Sequence, residues 1–158
     1  MTGAHRLHHL TDDELSVLAV GQMPDAWGAL AAAAAMPPAF VARRALASPC
    51  SSYLVLRIGD GRVVGACGFK SAPRLGRVDI GYGIAPAGRG AGAATDAVRL
   101  LAQIARSDGL LELMAEILPD NAASARVVGK LGFEARARRI DDDGDEVVQW
   151  VLALTPAR

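Results

Sequence analysis

Ile84-Ala85-Pro86-Ala87-Gly88-Arg89-Gly90-Ala91-Gly92-Ala93-Ala94-Thr95 decides how this chain is read. An apolar, strand-like run precedes it and a strongly amphipathic run follows it. From Gly88 to Thr95, three glycines and three alanines leave almost no side-chain bulk. A strand-to-helix turn of that composition exposes several backbone N–H groups. The first four N–H groups of a helix have no intrahelical partner, and the helix dipole adds partial positive charge to them. Together they make a seat for a phosphate or pyrophosphate. Arg89 adds a cation, expected to be mobile, at the rim.

Outward from this turn, the pattern predicts a mixed α/β sheet. Tyr53–Ile58 reads as a strand, Gly59-Asp60-Gly61 as a hairpin turn with the Asp-Gly pair at positive φ, and Arg62–Phe69 as the returning strand. Residues 76–85 give a third antiparallel strand through Val78, Ile80 and Tyr82. After the turn, Ala94, Ala97, Val98, Leu101, Ile104 and Ala105 share one helical face, with Asp96, Arg99, Gln103 and Arg106 opposite. Gly109 closes that helix. Residues 110–117 form a short strand, Asn121 caps a helix over about 122–131, and Phe133 opens another strand. A hairpin at Asp141–Asp145 leads to the last strand, 147–154. The central strand-helix-strand crossover is expected to be right-handed.

Nearer the start, Thr11 and Glu14 form a capping box for a helix. A second helical piece is expected from Pro38 to Ala47, ended by Pro49, with residues 21–37 as a connection. His5, His8 and His9 read as an exposed or edge-strand group without metal spacing.

The bulk properties narrow the class. At 158 residues, 51% hydrophobic and 22% charged, the chain is one globular domain. Its formal net charge of zero argues against nucleic acid as a partner. No run reaches the ~20 apolar residues of a membrane helix, and no export signal opens the chain, so the expected location is cytoplasmic. Cys50 and Cys67 read as two reduced thiols. No metal is expected.

Two motifs resemble those of the GCN5-related N-acetyltransferases, the GNAT superfamily. Ile84, Arg89, Gly92 and Ala94 fit its acyl-CoA pattern, Val/Ile-x4-Gln/Arg-x-x-Gly-x-Gly/Ala. The run from Pro119 through Asn121, Ser124 and Lys130 to Gly132-Phe133 is similar to its second signature. The flavour is that of the ribosomal-protein-alanine acetyltransferase-like branch, where Asn-x-x-Ser and Lys-Leu-Gly-Phe recur. The resemblance covers about residues 52–154. It implies a single N-acetyltransferase domain over residues 1–158, with acceptor-shaping helices at about 11–50. The implied fold is a mostly antiparallel sheet of six or seven strands, flanked by helices, with a central parallel pair splayed apart.

The resemblance also implies roles. Main-chain groups of Tyr82, Gly83 and Ile84 would pair with the pantetheine arm of acetyl-CoA, the Ile84 N–H serving the developing oxyanion. Amides of Arg89, Gly90, Ala91, Gly92, Ala93 and Ala94 would hold the pyrophosphate. Asn121 would touch the arm, and Arg126 or Lys130 the phosphates. Glu116 stands where the branch has its catalytic glutamate, and apolar neighbours Met114, Ile117 and Leu118 are expected to raise its pKa. Glu112, on the same strand face, lies further from the gap. Val128 occupies the place of the family's usual tyrosine acid. That leaves Ser124, Tyr82 or solvent as proton source.

Plainer readings stand beside these. Glu116 could be a solvent-facing carboxylate, Ser124 a helix-start serine, and Cys67 an inert thiol rather than a covalent nucleophile. Asp141–Glu146 could draw a cationic acceptor or be an ordinary hairpin. It is no EF-hand, since Trp150 stands where the glutamate belongs. Gly92-Ala93-Ala94 lacks the Gly-Lys-Ser/Thr of a P-loop, and the antiparallel approach disfavours a Rossmann fingerprint. The turn could also serve tight packing alone. The acceptor is expected to be a primary amine on a small molecule or peptide N-terminus, shaped by residues such as Met23, Trp27 and Met36. A homodimer is compatible with such folds. The alternative is a catalytically silent acyl-CoA-binding sensor or interaction module.

Overall fold

The computed structural model describes residues 3–19, 51–85 and 88–154. The helix expected at Pro38–Ala47, residues Met23, Trp27 and Met36, and Cys50 lie outside the described residues. Chain order is β1 (His5–His9), α1 (Asp12–Ala19), β2 (Ser51–Arg57), β3 (Val63–Phe69) and β4 (Arg77–Ile84). There follow α2 (Ala93–Ser107), β5 (Glu112–Ile117), α3 (Ala122–Lys130), β6 (Glu134–Ile140) and β7 (Glu146–Ala153).

The strands form one seven-stranded sheet in the order β1-β2-β3-β4-β5-β7-β6. Every neighbouring pair is antiparallel except β4 and β5. β3 lies inside the sheet and is buried along its whole length, which is why Val63-Val64-Gly65-Ala66-Cys67-Gly68-Phe69 reads as a continuous apolar run. β6, at the far edge, is exposed at every position and alternates small residues with arginines. At the opposite edge β1 pairs with β2 over five residues, from His5↔Arg57 to His9↔Tyr53. The histidine group is thus an edge strand, but His5 is not exposed. It is buried, and its Nδ1 lies 2.7 Å from Asp96 Oδ2 on α2.

That contact corrects the expectation for α2. Asp96 does not stand on the solvent face with Gln103. It turns to β1, and Arg99 meets its other oxygen at 3.4 Å. The rest of the helix follows its periodicity: Ala93, Ala97, Val98, Leu101, Ala102 and Ala105 are buried in the core against the sheet. Burying each large aliphatic side chain there stabilises by about 1.5–3 kcal/mol. At α1 the capping box forms in both directions, each bond 3.1 Å. In the β2–β3 turn only Gly61 takes positive φ (71°), while Asp60 keeps an ordinary one. Its carboxylate accepts the Arg62 N–H instead.

The central feature is how little β4 and β5 pair. Their parallel register runs Arg77↔Glu112, Val78↔Leu113, Asp79↔Met114 and stops. An Arg77–Glu112 ion pair of 2.5 Å marks the joined end. Beyond it, Ile80 to Ile84 stays bonded to β3 and Ala115 to Ile117 to β7. The two strands part while each keeps its outer neighbour. Their facing edges therefore carry backbone polar groups with no strand partner, and such groups require other partners.

Candidate functional site

At the open end of this gap lies a cleft of about 580 Å³. β4 supplies Tyr82, Gly83 and Ile84, the turn supplies Gly88 to Gly90 and Gly92, and the start of α2 supplies Ala93 to Thr95. α3 supplies Asn121, Ser124, Arg126 and Lys130. The sequence-read cofactor residues are thus gathered on one cleft, except Ala91, which is on the same turn but off its wall; of the sequence-read catalytic residues Ile84 and Ser124 line it and Glu116 does not. Ala123 and Val127 also line it and were missed. Their signal was available, because 123, 126, 127 and 130 fall on one face of a helix.

The turn explains the glycines. Gly92 is the N-cap of α2 with φ 79°, and among the described residues no side chain caps the first-turn amides. A Cβ there would meet nothing within 4 Å. Gly92 is therefore required by its backbone angle and not by packing, which removes the packing-only reading at that position. Arg89 is not the mobile cation expected. Its Nε–H donates to the Ile84 carbonyl at 3.1 Å, tying the turn back to β4. Among the described residues the cleft wall holds three cations, Arg89, Arg126 and Lys130, and no carboxylate. With the dipole of α2 they give a field suited to a polyanion.

A second cavity, about 230 Å³, opens between the parted strands. Cys67, Lys70, Gly81, Glu116 and Leu118 belong to it, and it shares Tyr82, Asn121 and Ser124 with the first. The two spaces are thereby continuous along the gap. Asn121 caps α3 by accepting the Ser124 N–H at 3.1 Å. Tyr82 donates its hydroxyl to the Ser124 carbonyl at 3.4 Å, and burial pushes its pKa up, so it holds its proton. Val128 is fully buried in the core and reaches neither cavity.

The chemistry of Glu116 differs from the sequence expectation. Its pKa is lowered, not raised. The cause is Arg139 of β6, whose guanidinium grips the carboxylate with Nε on Oε2 and a terminal nitrogen 2.9 Å from Oε1. The charge-assisted fork outweighs the desolvation that Met114 and its neighbours suggested. Asp79, nearby on β4, shows the reverse. Burial first, then the Glu116 charge, hold its pKa up. Burial also pushes the Cys67 thiol far up, so it is protonated and a poor nucleophile. At the β6–β7 turn the Asp141 carboxylate accepts the Asp143 and Asp145 N–H groups, as an ordinary hairpin requires. Among the described residues no three His, Cys, Asp or Glu side chains gather to hold a metal. No described helix is long and apolar enough to cross a membrane.

A family model described as an acetyltransferase (GNAT) domain matches residues 4–134. No curated protein matches the chain. Among solved structures, the ribosomal-protein-S5-alanine acetyltransferase of Vibrio fischeri is 14% identical, with a TM-score of 0.69 over 98% of this chain and 95% of its own. The aminoglycoside acetyltransferase AAC(6')-Ib, solved with coenzyme A, is 19% identical, with a TM-score of 0.67 and 94% of each chain covered. RimJ of Mycobacterium smegmatis, solved with CoA-disulfide, is 22% identical, with a TM-score of 0.57 over 65% of this chain. The match spans about half of RimJ's length, 52%. At these identities the likeness is one of fold, and the shared fold is the mostly antiparallel sheet with its single parallel pair.

Proposed function

The chain belongs to the acetyltransferase (GNAT) family, and from that premise we propose that it moves an acetyl group from acetyl-CoA to a primary amine by direct attack in a ternary complex. The amine would sit on a small molecule or a peptide N-terminus. The observation that carries this is the parted β4–β5 pair, which joins a cationic cleft at a helix N-terminus to a cavity holding a carboxylate.

The residues present fit the coenzyme. The bare first-turn amides of α2 around Gly92 suit its diphosphate, with Arg126 and Lys130 for further phosphate charge. The unpaired edge of β4 from Tyr82 to Ile84 suits an arm that carries amides, and the Ile84 N–H is offered as oxyanion donor. Asn121 would orient the arm. When bound, the coenzyme supplies an activated thioester, and the protein supplies placement and proton transfer. Glu116 is the proposed base. Tyr82 and Ser124 stand at the junction of the two spaces, where a departing thiolate needs a proton. A cytoplasmic setting, where thiols stay reduced, accords with the buried free Cys67. A homodimer would use a sheet edge, and β6 is exposed throughout.

One observation favours a second reading. The Glu116 carboxylate is already bonded to Arg139, and a silent acyl-CoA-binding module would need no free base. Titration with acetyl-CoA followed by thiol release against an amine panel separates the two. Binding with release supports the transferase, and binding without release from any amine supports the module. Glu116→Gln should lower kcat by about a hundredfold, the scale of general-base catalysis, with acetyl-CoA Kd unchanged. An unchanged kcat removes Glu116 from the chemistry.

A further inference from the structure

The second cavity bears on which amine is taken. Lys70 follows β3, and its backbone N–H donates to the Asp79 carbonyl at 2.8 Å, which fixes it against β4 just before β4 leaves β5. Its side chain crosses β4 at Gly81: a Cβ built on Gly81 would lie 3.5 Å from both Cγ and Cδ of Lys70. Lys70 then lines the cavity together with Glu116. Among the described residues no ion pair or side-chain hydrogen bond engages the Lys70 ammonium. Arg139, which is not on the wall, is bonded to Glu116. So the wall sets a carboxylate held in a fork beside a lysine whose ammonium makes no direct ion pair among the described residues, though its field reaches Glu116 and Asp79.

A polycation would meet Lys70 on the wall as a like charge. Resting on the acetyltransferase reading, we propose that the acceptor is a small zwitterion, an amine with a carboxylate a few bonds from its nitrogen, and that Lys70 reads the carboxylate. Lys70 is then a specificity residue, while the amine faces Glu116. The amine nitrogen forms its bond to the acetyl carbon as the carbon–sulfur bond breaks. One ammonium proton passes to Glu116 and on to solvent, and a second ends on the departing thiolate. The products are an N-acetylated carboxylate and free coenzyme thiol.

The test is a thiol-release assay with acetyl-CoA on free L-α-amino acids, their α-amides and spermidine, for the native chain and Lys70→Met. The native chain should favour the best amino acid over its amide by about fivefold or more in kcat/KM, the scale of one partly exposed ion pair. Lys70→Met should erase that ratio by raising KM for the acid, with acetyl-CoA Kd unchanged and with kcat on the amide unchanged at a pH well above the carboxylate range, where Glu116 is ionised in both proteins. Lys70→Glu should turn the preference toward spermidine. Amides or spermidine used as well as amino acids, or a ratio that survives Lys70→Met, overturns the zwitterion and leaves the transferase standing. Coenzyme binding without thiol release from any amine overturns both.

Discussion

The two spaces that meet at Tyr82, Asn121 and Ser124 are built in opposite ways. The cleft draws on short stretches of the chain, Tyr82 to Ile84, the small-residue turn from Gly88 to Thr95 with Arg89, and one side of α3 with Arg126 and Lys130. The cavity beside it carries Lys70, after β3, and Glu116, on β5, on its wall, and the Glu116 charge is set by Arg139 on β6 and felt by Asp79 on β4. A phosphate seat needs only peptide amides in one local conformation, so a dozen residues can specify it. A tuned carboxylate needs groups far apart in the chain, so its state is a property of the whole sheet. The first kind of site should fail by single backbone substitutions, and the second by remote charge changes.

The sharpest way to break the contrast is at Gly92. Gly92→Glu puts a carboxylate among the exposed amides and forces a side chain onto φ 79°. Acetyl-CoA binding, read by calorimetry, should weaken by about a hundredfold or more. Gly92→Ala carries the backbone strain alone, about 1 kcal/mol, and should weaken binding by less than about tenfold. If both variants bind with native affinity, the diphosphate does not sit on α2.

This division also explains what was legible. The turn, the amphipathic face of α2, the Asn121 cap and the Thr11–Glu14 box are short-range patterns, and each could be read directly. β1 was visible only as a histidine cluster, because five residues of His and Arg around one Leu carry no strand pattern. The partners of Glu116 were not legible at all: Arg139 lies 23 residues away and meets it only through the β5–β7–β6 pairing. Local hydropathy therefore gave the wrong sign for its pKa.

Even the cleft has one distant support, and it sets the next prediction. The buried His5–Asp96 contact joins β1 to the first turn of α2. Asp96→Ala leaves His5 without that partner, and among the described residues its Nε2 already has none. Unfolding stability should fall by about 2 kcal/mol, the range for orphaning a buried polar group. Acetyl-CoA affinity at temperatures where the variant is folded should change little. A loss below about 0.5 kcal/mol in urea denaturation would mean the contact does not hold the helix.

On the other side, Arg139→Met should act through pH. Glu116 has its pKa lowered in the folded state, so its contribution to stability is present above the ordinary carboxylate range and lost as pH falls through the folded value. Without Arg139, desolvation is opposed only by the smaller effects of a Gln149 hydrogen bond and the Lys70 charge, so the Glu116 pKa should rise. The acid limb of kcat/KM should move to higher pH, and the acid-side loss of stability should shrink. A pH profile that does not move would show that Arg139 does not tune the base.

The smallest effect should come from Asp79, and it tests whether the acceptor-side charges are one coupled group. Asp79 has its pKa raised by burial and by Glu116. Ionising it therefore costs folded-state stability as pH rises from the unfolded pKa through the folded one. Asp79→Asn removes that cost, so the variant should be more stable near pH 7 and unchanged well below the carboxylate range. The gain should stay under about 1 kcal/mol, because solvent screens a half-exposed carboxylate. In Glu116→Gln the like charge is gone, so adding Asp79→Asn there should gain less than it does in the native chain. Urea midpoints for the four proteins at two pH values give the coupling. Additive changes would mean that Glu116 and Asp79 titrate independently, and the cavity would then be as local in its electrostatics as the cleft.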